Sequence, residues 1–294
     1  MRHAILIHAH RLPEQFGRLC AALRHPDFDI YANIDAKSDI QPFRDAAPQV
    51  KFITNRINIK WGHWSQVEAT LNSMRCIADS GNDYGYVIFI SGQDYPVRPL
   101  DEIAEFLDMA GQEFIGTSSK SVTDKKEFRR LEKRYTKRWL FLCRKSPLSV
   151  FNKTLHFLPD KKHIFPFYKG SSWWNLTFDC VLYILDFVKT HPAIVRSYCR
   201  SLCPDEIFFQ SLLHASPFKD RLVDRIFRYM DWSAGESGPR TLTVADFEAI
   251  ISSDAWFARK VDIAKDAKLA DMLDAHISAK AGTDQNTVRQ STIQ

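Results

Sequence analysis

The chain has 294 residues, of which 45% are hydrophobic and 26% are charged, and its formal net charge is +5 at pH 7. This composition excludes a disordered or fibrous protein and supplies enough apolar residues for one large core or two small ones. The charge excess suits an anionic ligand such as a nucleotide diphosphate, or an anionic membrane face, and is too small to require nucleic acid.

Short apolar runs alternate with segments of helical periodicity in the first part of the chain. Strands are predicted at residues 4–9, 29–35, 50–54, 86–91 and 113–116, and helices at 13–23, 64–77 and 100–109. Because strands and helices alternate, we expect an α/β fold in which a parallel, Rossmann-like sheet is flanked by helices.

Polar residues follow three of these predicted strands. His8 and His10 end the first, residues 35–38 follow the second, and residues 91–96 follow the strand at 86–91. Ligands of parallel α/β sheets bind beyond the carboxyl ends of the strands. We therefore expect a binding site at this edge of the sheet.

A basic segment follows, with ten lysines and arginines between residues 125 and 145 and with Tyr135, Trp139 and Phe141 interleaved. Such a run is typical of a solvated helix face. The alternative is contact with an anionic acceptor, a lipid headgroup or RNA. No aromatic RNA-recognition motif accompanies the segment, so we do not expect nucleic acid as a partner.

The cysteines and the apolar runs of the sequence indicate the cellular compartment of the protein. The six cysteines form no Cys-x-x-Cys pair, which indicates reduced thiols in a cytosolic protein, although a disulfide between Cys199 and Cys203 stays open. The first apolar run is too short for a signal peptide, and no stretch approaches the length of a membrane span. We expect a cytoplasmic protein that at most attaches to a membrane surface.

The second part of the chain is predicted to contain a tight loop into a strand at 170–176, helices at 178–188 and 204–213, and a strand at 225–232. The polar tail at residues 281–294 is predicted to be flexible.

Two adjacent carboxylates, Asp205 and Glu206, follow Pro204 and precede an apolar run. Proline presets a first helical turn, and acidic residues favour the N-terminal end of a helix. A carboxylate fixed in a partly dry cleft can act as a general base, whereas the alternative is that both acids only cap the helix. Downstream, Arg259 and Lys260 follow aromatic residues and favour a phosphate-bearing substrate.

Seven segments in the same order resemble the core-2/I-branching β-1,6-N-acetylglucosaminyltransferase and peptide O-xylosyltransferase family, glycosyltransferase family 14. They are 33–38 (NIDAKS), 61–65 (WGHWS), 91–96 (SGQDYP), 169–174 (KGSSWW), 204–206 (PDE), 228–232 (RYMDW) and 257–260 (FARK). The resemblance implies one GT-A-like domain at residues 1–280, with a nucleotide-binding half at 1–120 and an acceptor and catalytic half at 121–280.

The resemblance also implies an inverting transfer from a UDP-sugar without a divalent metal. Glu206 matches the catalytic base of the family, and Lys260 matches its phosphate-binding lysine. The segment Gly92-Gln93-Asp94 lacks the Asp-x-Asp pair of metal-dependent GT-A enzymes, so Arg259 and Lys260 would neutralise the diphosphate. We expect no cofactor and no metal site.

Further site residues are assigned on the same basis. The donor set is Asp35, Trp61, Ser65, Asp94, Arg240, Arg259 and Lys260, and the acceptor set is Trp173, Trp174, Asp205 and Trp232. Three alternatives stay open: Asp35 and Asp94 as turn residues, Asp205 as a helix cap, and one of the two adjacent tryptophans as core, because strand alternation sends them to opposite faces.

The predicted function is transfer of xylose or N-acetylglucosamine to an acceptor hydroxyl with a β linkage. The absence of a cysteine-rich secretory frame suggests a bacterial enzyme, cytoplasmic or peripheral on the inner membrane face, that acts on a lipid-linked glycan in surface polysaccharide synthesis. The alternative is a non-catalytic GT-A-like scaffold that binds nucleotide or glycan.

Overall fold

The structure is a computed structural model that describes residues 1–118, 167–199, 201–235 and 238–291, with the backbone alone for Ser118 and for 281–291. The basic segment at 125–145 lies outside the described residues. The strands are β1 His3–Ala9, β2 Phe28–Ile34, β3 Lys51–Phe52, β4 Tyr86–Ser91, β5 Asp94–Pro96, β6 Glu113–Ser118, β7 Lys169–Thr177, β8 Leu222–Val223, β9 Arg228–Met230 and β10 Phe257–Arg259.

Helices connect these strands. They are α1 Pro13–Ala22, α2 Gln41–Ala46, α3 Ser65–Ala78, α4 Leu100–Ala110, α5 Phe178–Thr190, α6 Pro192–Tyr198, α7 Phe208–His214, α8 Phe247–Ile251 and α9 Ala267–Ser291, with 3-10 helices at Pro204–Glu206, Lys219–Arg221 and Val244–Asp246. Local chemistry sets several ends: Pro13 opens α1, and Gly111 closes α4 in the left-handed conformation with φ 58°.

The described strands form a central sheet in the order β3-β2-β1-β4-β7-β6-β8 and a small sheet in the order β5-β10-β9. Strands β3, β2, β1 and β4 are parallel, whereas β7 runs antiparallel to both β4 and β6. The predicted α/β class is confirmed, and the strands β1 to β4 of the first part of the chain are parallel as predicted. Strand β7, from the second part of the chain, joins the sheet antiparallel.

Both faces of the central sheet are covered. Ile5 and Ile7 of β1 pack into one apolar cluster and Ala4 and Leu6 into the other, and all four are fully buried. A strand that is buried on both faces has a continuous apolar sequence, which is why β1 and β4 were recognisable. None of the described helices is both long enough and apolar enough to cross a membrane.

Several predicted elements have different bounds. The helix predicted at 204–213 is interrupted at Ile207, whose φ of −136° separates the 3-10 helix Pro204–Glu206 from α7. The strand predicted at 225–232 is shortened to β9, because Phe227 adopts a left-handed φ of 52°. The tail predicted to be flexible continues α9 through Ser291.

The small sheet determines the position of the site. Strand β10 pairs antiparallel with β5, and this register places Arg259 opposite Asp94. The two residues are separated by 165 positions in the sequence. The pairing brings the arginine beside the loop that follows β4.

Candidate active site

A cavity of about 1040 Å³ opens at the carboxyl ends of β1, β2 and β4, where the sequence predicted a binding site. Its lining includes residues from these strand ends, from β7, from the 3-10 helix Pro204–Glu206 and from the end of β10. The lining residues predicted from the sequence are Asp35, Trp61, Trp173, Asp205, Glu206, Trp232, Arg259 and Lys260.

Asp35 ends β2 and is buried at the cavity wall. Its Oδ1 accepts a 2.9 Å hydrogen bond from the backbone N–H of Lys37, and its Oδ2 lies 3.3 Å from Lys37 Nζ. Asp35 is therefore a turn residue and a cavity residue at once, so the two interpretations of the sequence are compatible.

Asp94 is fully buried, behind the surface that lines the cavity. Its Oδ2 accepts 2.7 Å hydrogen bonds from the backbone N–H and the hydroxyl of Ser91 and lies 3.0 Å from Arg259 Nη1. The sequence placed Asp94 in the donor set, but its buried side chain does not line the cavity. The carboxylate instead positions Arg259.

A second arginine faces the same carboxylate. Arg228 is buried, its Nε lies 3.3 Å from Asp94 Oδ1, and its guanidinium donates to the carbonyl of Phe89. Burial lowers the pKa of Arg228 to about 10, so it stays charged at neutral pH. Two guanidinium groups beside one carboxylate leave an excess positive charge next to the cavity, and this favours an anionic ligand.

The two adjacent tryptophans separate as strand alternation predicts. Trp174 is fully buried and packs against Phe89 and Phe209, so its assignment to acceptor binding is wrong. Trp173 lines the cavity, and Arg259 Cζ lies 4.3 Å from the centre of its ring. This cation–π contact is a second restraint on the arginine, beside its hydrogen bond to Asp94.

Glu206 lines the cavity from the 3-10 helix, and its side chain is about one-third exposed. Its Oε2 lies 3.8 Å from Lys169 Nζ, at the start of β7. A carboxylate that is partly exposed in a cavity can reach a ligand and exchange a proton with it.

Asp205 has a different environment from Glu206. Its Oδ2 accepts hydrogen bonds from Ser172 Oγ at 2.7 Å and from Gln66 Nε2 at 3.1 Å, and burial raises the pKa of its carboxyl group. The cap interpretation predicted contacts within the helix, whereas the carboxylate of Asp205 bonds to Ser172 of β7 and to Gln66 of α3.

Two predicted donor residues lie away from the cavity surface. Ser65 is buried, and its hydroxyl accepts a 2.8 Å hydrogen bond from the backbone N–H of Lys60. Arg240 is held between Asp231 and Asp246, with Nε 2.7 Å from Asp231 Oδ2 and Nη1 2.9 Å from Asp246 Oδ2. These contacts give both residues structural roles in this arrangement.

The structure adds lining residues that the sequence analysis did not single out, among them Gln66, Lys169 and Ser172, and His8, which the sequence placed at this edge, lines the cavity as well. Burial lowers the pKa of His8 to about 3, so this imidazole is neutral at physiological pH. Lys169 and Ser172 lie within the segment KGSSWW. Their position in the cavity depends on the packing of β7 against the 3-10 helix Pro204–Glu206, which the sequence does not show.

Within the residues that the structure describes, no group of three or more His, Cys, Asp or Glu side chains is arranged to hold a metal ion. In the same part of the chain, no disulfide joins Cys199 to Cys203. The cavity lining contains carboxylates, cations and aromatic rings.

The model of the family described as Core-2/I-branching enzyme matches residues 4–251. The chain therefore belongs to the Core-2/I-branching enzyme family, as the seven sequence segments indicated. The helix-flanked sheet agrees with the GT-A-like α/β class that this family implied.

Among curated relatives, xylosyltransferase 1 of Rattus norvegicus is 25% identical over 243 residues, which cover 78% of this chain and 27% of the relative. Beta-glucuronosyltransferase GlcAT14B of Arabidopsis thaliana is 22% identical over 282 residues, which cover 90% of this chain and 63% of the relative. The chain thus spans about a quarter of the length of the rat protein and under two-thirds of the plant protein.

Among solved structures, mouse xyloside xylosyltransferase 1 in its apo form aligns with 87% of this chain and 96% of its own, at 10% identity and a TM-score of 0.43.

Proposed function

We propose that the protein is an inverting glycosyltransferase that moves xylose or N-acetylglucosamine from a UDP-sugar to an acceptor hydroxyl and forms a β linkage. The observation that carries the proposal is that Glu206 lines the same cavity as Arg259 and Lys260. A base and a pair of cations in one cavity can serve the attacking and the leaving group of one displacement. The names of the relatives, which are xylosyltransferases and a glucuronosyltransferase, support a glycosyl donor.

The reaction is a single displacement. Glu206 takes the proton of the acceptor hydroxyl, and the resulting oxygen attacks the anomeric carbon from the face opposite the diphosphate. The new C–O bond forms as the bond from the anomeric carbon to the phosphate oxygen breaks, so that UDP leaves with the electron pair. An α-linked donor thereby gives a β-linked product.

Arg259 and Lys260 stabilise the negative charge that develops on the leaving diphosphate. Charge-assisted hydrogen bonds from Arg and Lys suit phosphate oxygens, and the excess charge of the Arg228–Asp94–Arg259 group adds to them. We propose that these cations replace a divalent metal. Asp94, the first residue of β5, is engaged by Ser91 and Arg259, which supports this proposal.

The rim of the cavity carries two exposed tryptophans, Trp61 of the predicted donor set and Trp232 of the predicted acceptor set. Trp61 is 68% exposed and Trp232 is 54% exposed, and both line the cavity. Exposed aromatic rings beside polar groups suit the apolar faces of sugars. We propose a glycan acceptor, carried by a lipid at the inner face of a bacterial membrane, as in surface polysaccharide synthesis.

The test is UDP release from a panel of UDP-sugars, including UDP-xylose, UDP-N-acetylglucosamine and UDP-glucuronate, in excess EDTA. Glu206→Gln should lower turnover by about 100- to 10,000-fold, because this is the range that a general base contributes. Its matched control is Glu105→Gln, an exposed glutamate on α4.

Three results decide among the alternatives. Turnover of one donor that survives EDTA and is lost in Glu206→Gln supports the metal-free base mechanism. Turnover that EDTA abolishes contradicts metal independence and leaves the transferase proposal standing. If a donor binds but no lipid-linked or free glycan acceptor gives turnover, the non-catalytic scaffold is favoured.

A further inference from the structure

Asp205 adjoins Glu206 in the chain, yet its side chain bonds to the body of the protein. Its Oδ2 accepts from Ser172 of β7 and from Gln66 of α3. The 3-10 helix Pro204–Glu206 packs against both of these elements and against α7. The side chain of Asp205 thus connects the 3-10 helix to β7 and to α3 at the cavity wall.

The hydrogen bonds close a loop around this point. The backbone N–H of Gly62 donates to Gln66 Oε1, and Gln66 Nε2 donates to Asp205 at 3.1 Å. The backbone N–H of Cys203 donates to the carbonyl of Gly62 at 3.0 Å. The turn before α3 and the 3-10 helix are therefore held together at two points, one made by backbone and one by Asp205.

The residues on either side of the 3-10 helix have non-helical backbone angles, so no continuous helix holds the two carboxylates in place. Cys203, which precedes it, has a left-handed φ of 48°, and Ile207, which follows it, has a non-helical φ of −136°. A residue other than glycine is strained in the left-handed region and persists there when surrounding contacts hold it. The side chain of Asp205 supplies such contacts.

We propose that Asp205 is a positioning residue, which holds Glu206 at the cavity wall by tying the 3-10 helix to β7 and α3. The inference rests on the proposed function, in which Glu206 is the base. It replaces the predicted role of Asp205 in acceptor binding, because Oδ2 is occupied by two protein donors and Oδ1 is buried.

The chemistry of the two acids then differs. Asp205 Oδ1 is buried and has no hydrogen-bond partner among the described residues, and burial raises the pKa of this carboxyl group. A carboxylate and a carboxamide have nearly the same shape, and the amide oxygen can accept both bonds that Oδ2 accepts. Asparagine should therefore substitute for Asp205, whereas glutamine cannot substitute for Glu206 as a base.

The experiment compares kcat and KM for the UDP-sugar in Asp205→Ala, Asp205→Asn and the wild type. We expect Asp205→Ala to lower kcat about 100-fold, the loss associated with a displacement of about 1 Å in a reacting group, and to change KM far less. Asp205→Asn should recover most of that kcat. The matched control is Asp220→Ala, an exposed aspartate on another 3-10 helix.

A crystal structure of Asp205→Ala gives a second measurement that needs no activity. The distance from Lys169 Nζ to Glu206 Oε2, 3.8 Å in the wild type, should lengthen as the 3-10 helix shifts. An unchanged distance, or wild-type kcat in Asp205→Ala, overturns the proposal. An Asp205→Asn enzyme as slow as Asp205→Ala also overturns it, since the charge and not the tether would then matter.

Two further variants keep the test decisive if Asp205→Ala does not fold. Ser172→Ala and Gln66→Leu each remove one of the two bonds to Asp205, and each should lower kcat about 10-fold. Wild-type kcat in both overturns the proposal. A wild-type protein that turns over no donor contradicts the proposed function alone, because the crystallographic distance still decides the role of Asp205.

Discussion

Asp94 Oδ2 lies 3.0 Å from Arg259 Nη1, although the two residues are 165 positions apart in the chain. The pairing of β5 with β10 creates this contact, and the centre of the Trp173 ring lies 4.3 Å from Arg259 Cζ. The arginine is therefore held in place before any anion arrives. Such preorganisation lets a cation stabilise developing charge without reorganising during the reaction.

Removal of Arg259 should weaken the binding of UDP more than that of uridine. A hydrogen bond between charged groups contributes about 1.5–3 kcal/mol, so Arg259→Met should raise the Kd of UDP about 10- to 100-fold and change the Kd of uridine little. Calorimetric titration measures both constants. The control is Arg75→Met, an exposed arginine on α3. An equal loss for UDP and uridine would contradict a contact with the diphosphate.

The adjacent tryptophans should respond in opposite ways to substitution. Trp174→Ala removes a fully buried ring and should lower the free energy of unfolding by about 3–5 kcal/mol. Trp173→Ala should cost less stability, but it removes the cation–π contact to Arg259 and should weaken UDP binding about 3- to 30-fold. Urea unfolding and UDP titration of both variants check this contrast, which fails if Trp174→Ala is the milder change for stability.

Gly170 marks a close approach of β7 and β6. A Cβ at this position would lie 1.7 Å from the carbonyl oxygen of Gly116, so Gly170→Ala should shift the strand that carries Lys169 and cost about 3 kcal/mol. Gly111→Ala is the control, because its Cβ would meet open space and only the left-handed φ of 58° opposes it, at about 1–2 kcal/mol. Equal losses of unfolding free energy in the two variants would contradict the close approach.

Protonation of Asp246 at acid pH should lower the free energy of unfolding of the protein. Hydrogen bonds from Arg240 lower the pKa of Asp246 below its unfolded value of about 3.9. A lowered pKa adds stability that is present above about pH 4 and is lost as the pH falls through the folded value. Urea unfolding should therefore show a shallower loss between pH 5 and pH 3 for Asp246→Asn than for the wild type, and identical slopes would refute this. Asp220→Asn is the control.

The sequence predicted the elements whose signal is local. The buried strands β1 and β4 have uninterrupted apolar runs, and α1 and α3 have apolar residues at helical spacing, so period and composition sufficed. The break at Ile207 and the left-handed Phe227 carry no such signal, because neither residue is a glycine and both conformations are imposed by packing.

The sequence by itself determined the family, the α/β class and the placement of polar residues at the carboxyl ends of β1, β2 and β4. Only the tertiary structure decided which predicted residues reach the cavity. Asp94 and Arg240 are charged residues of the kind that bind ligands, but each forms an ion pair within the protein. Asp94 pairs with Arg259, which is distant in sequence, and Arg240 pairs with Asp246. The sequence gives the type of each residue. The orientation of its side chain depends on strand register and on the charged neighbours that the fold places beside it.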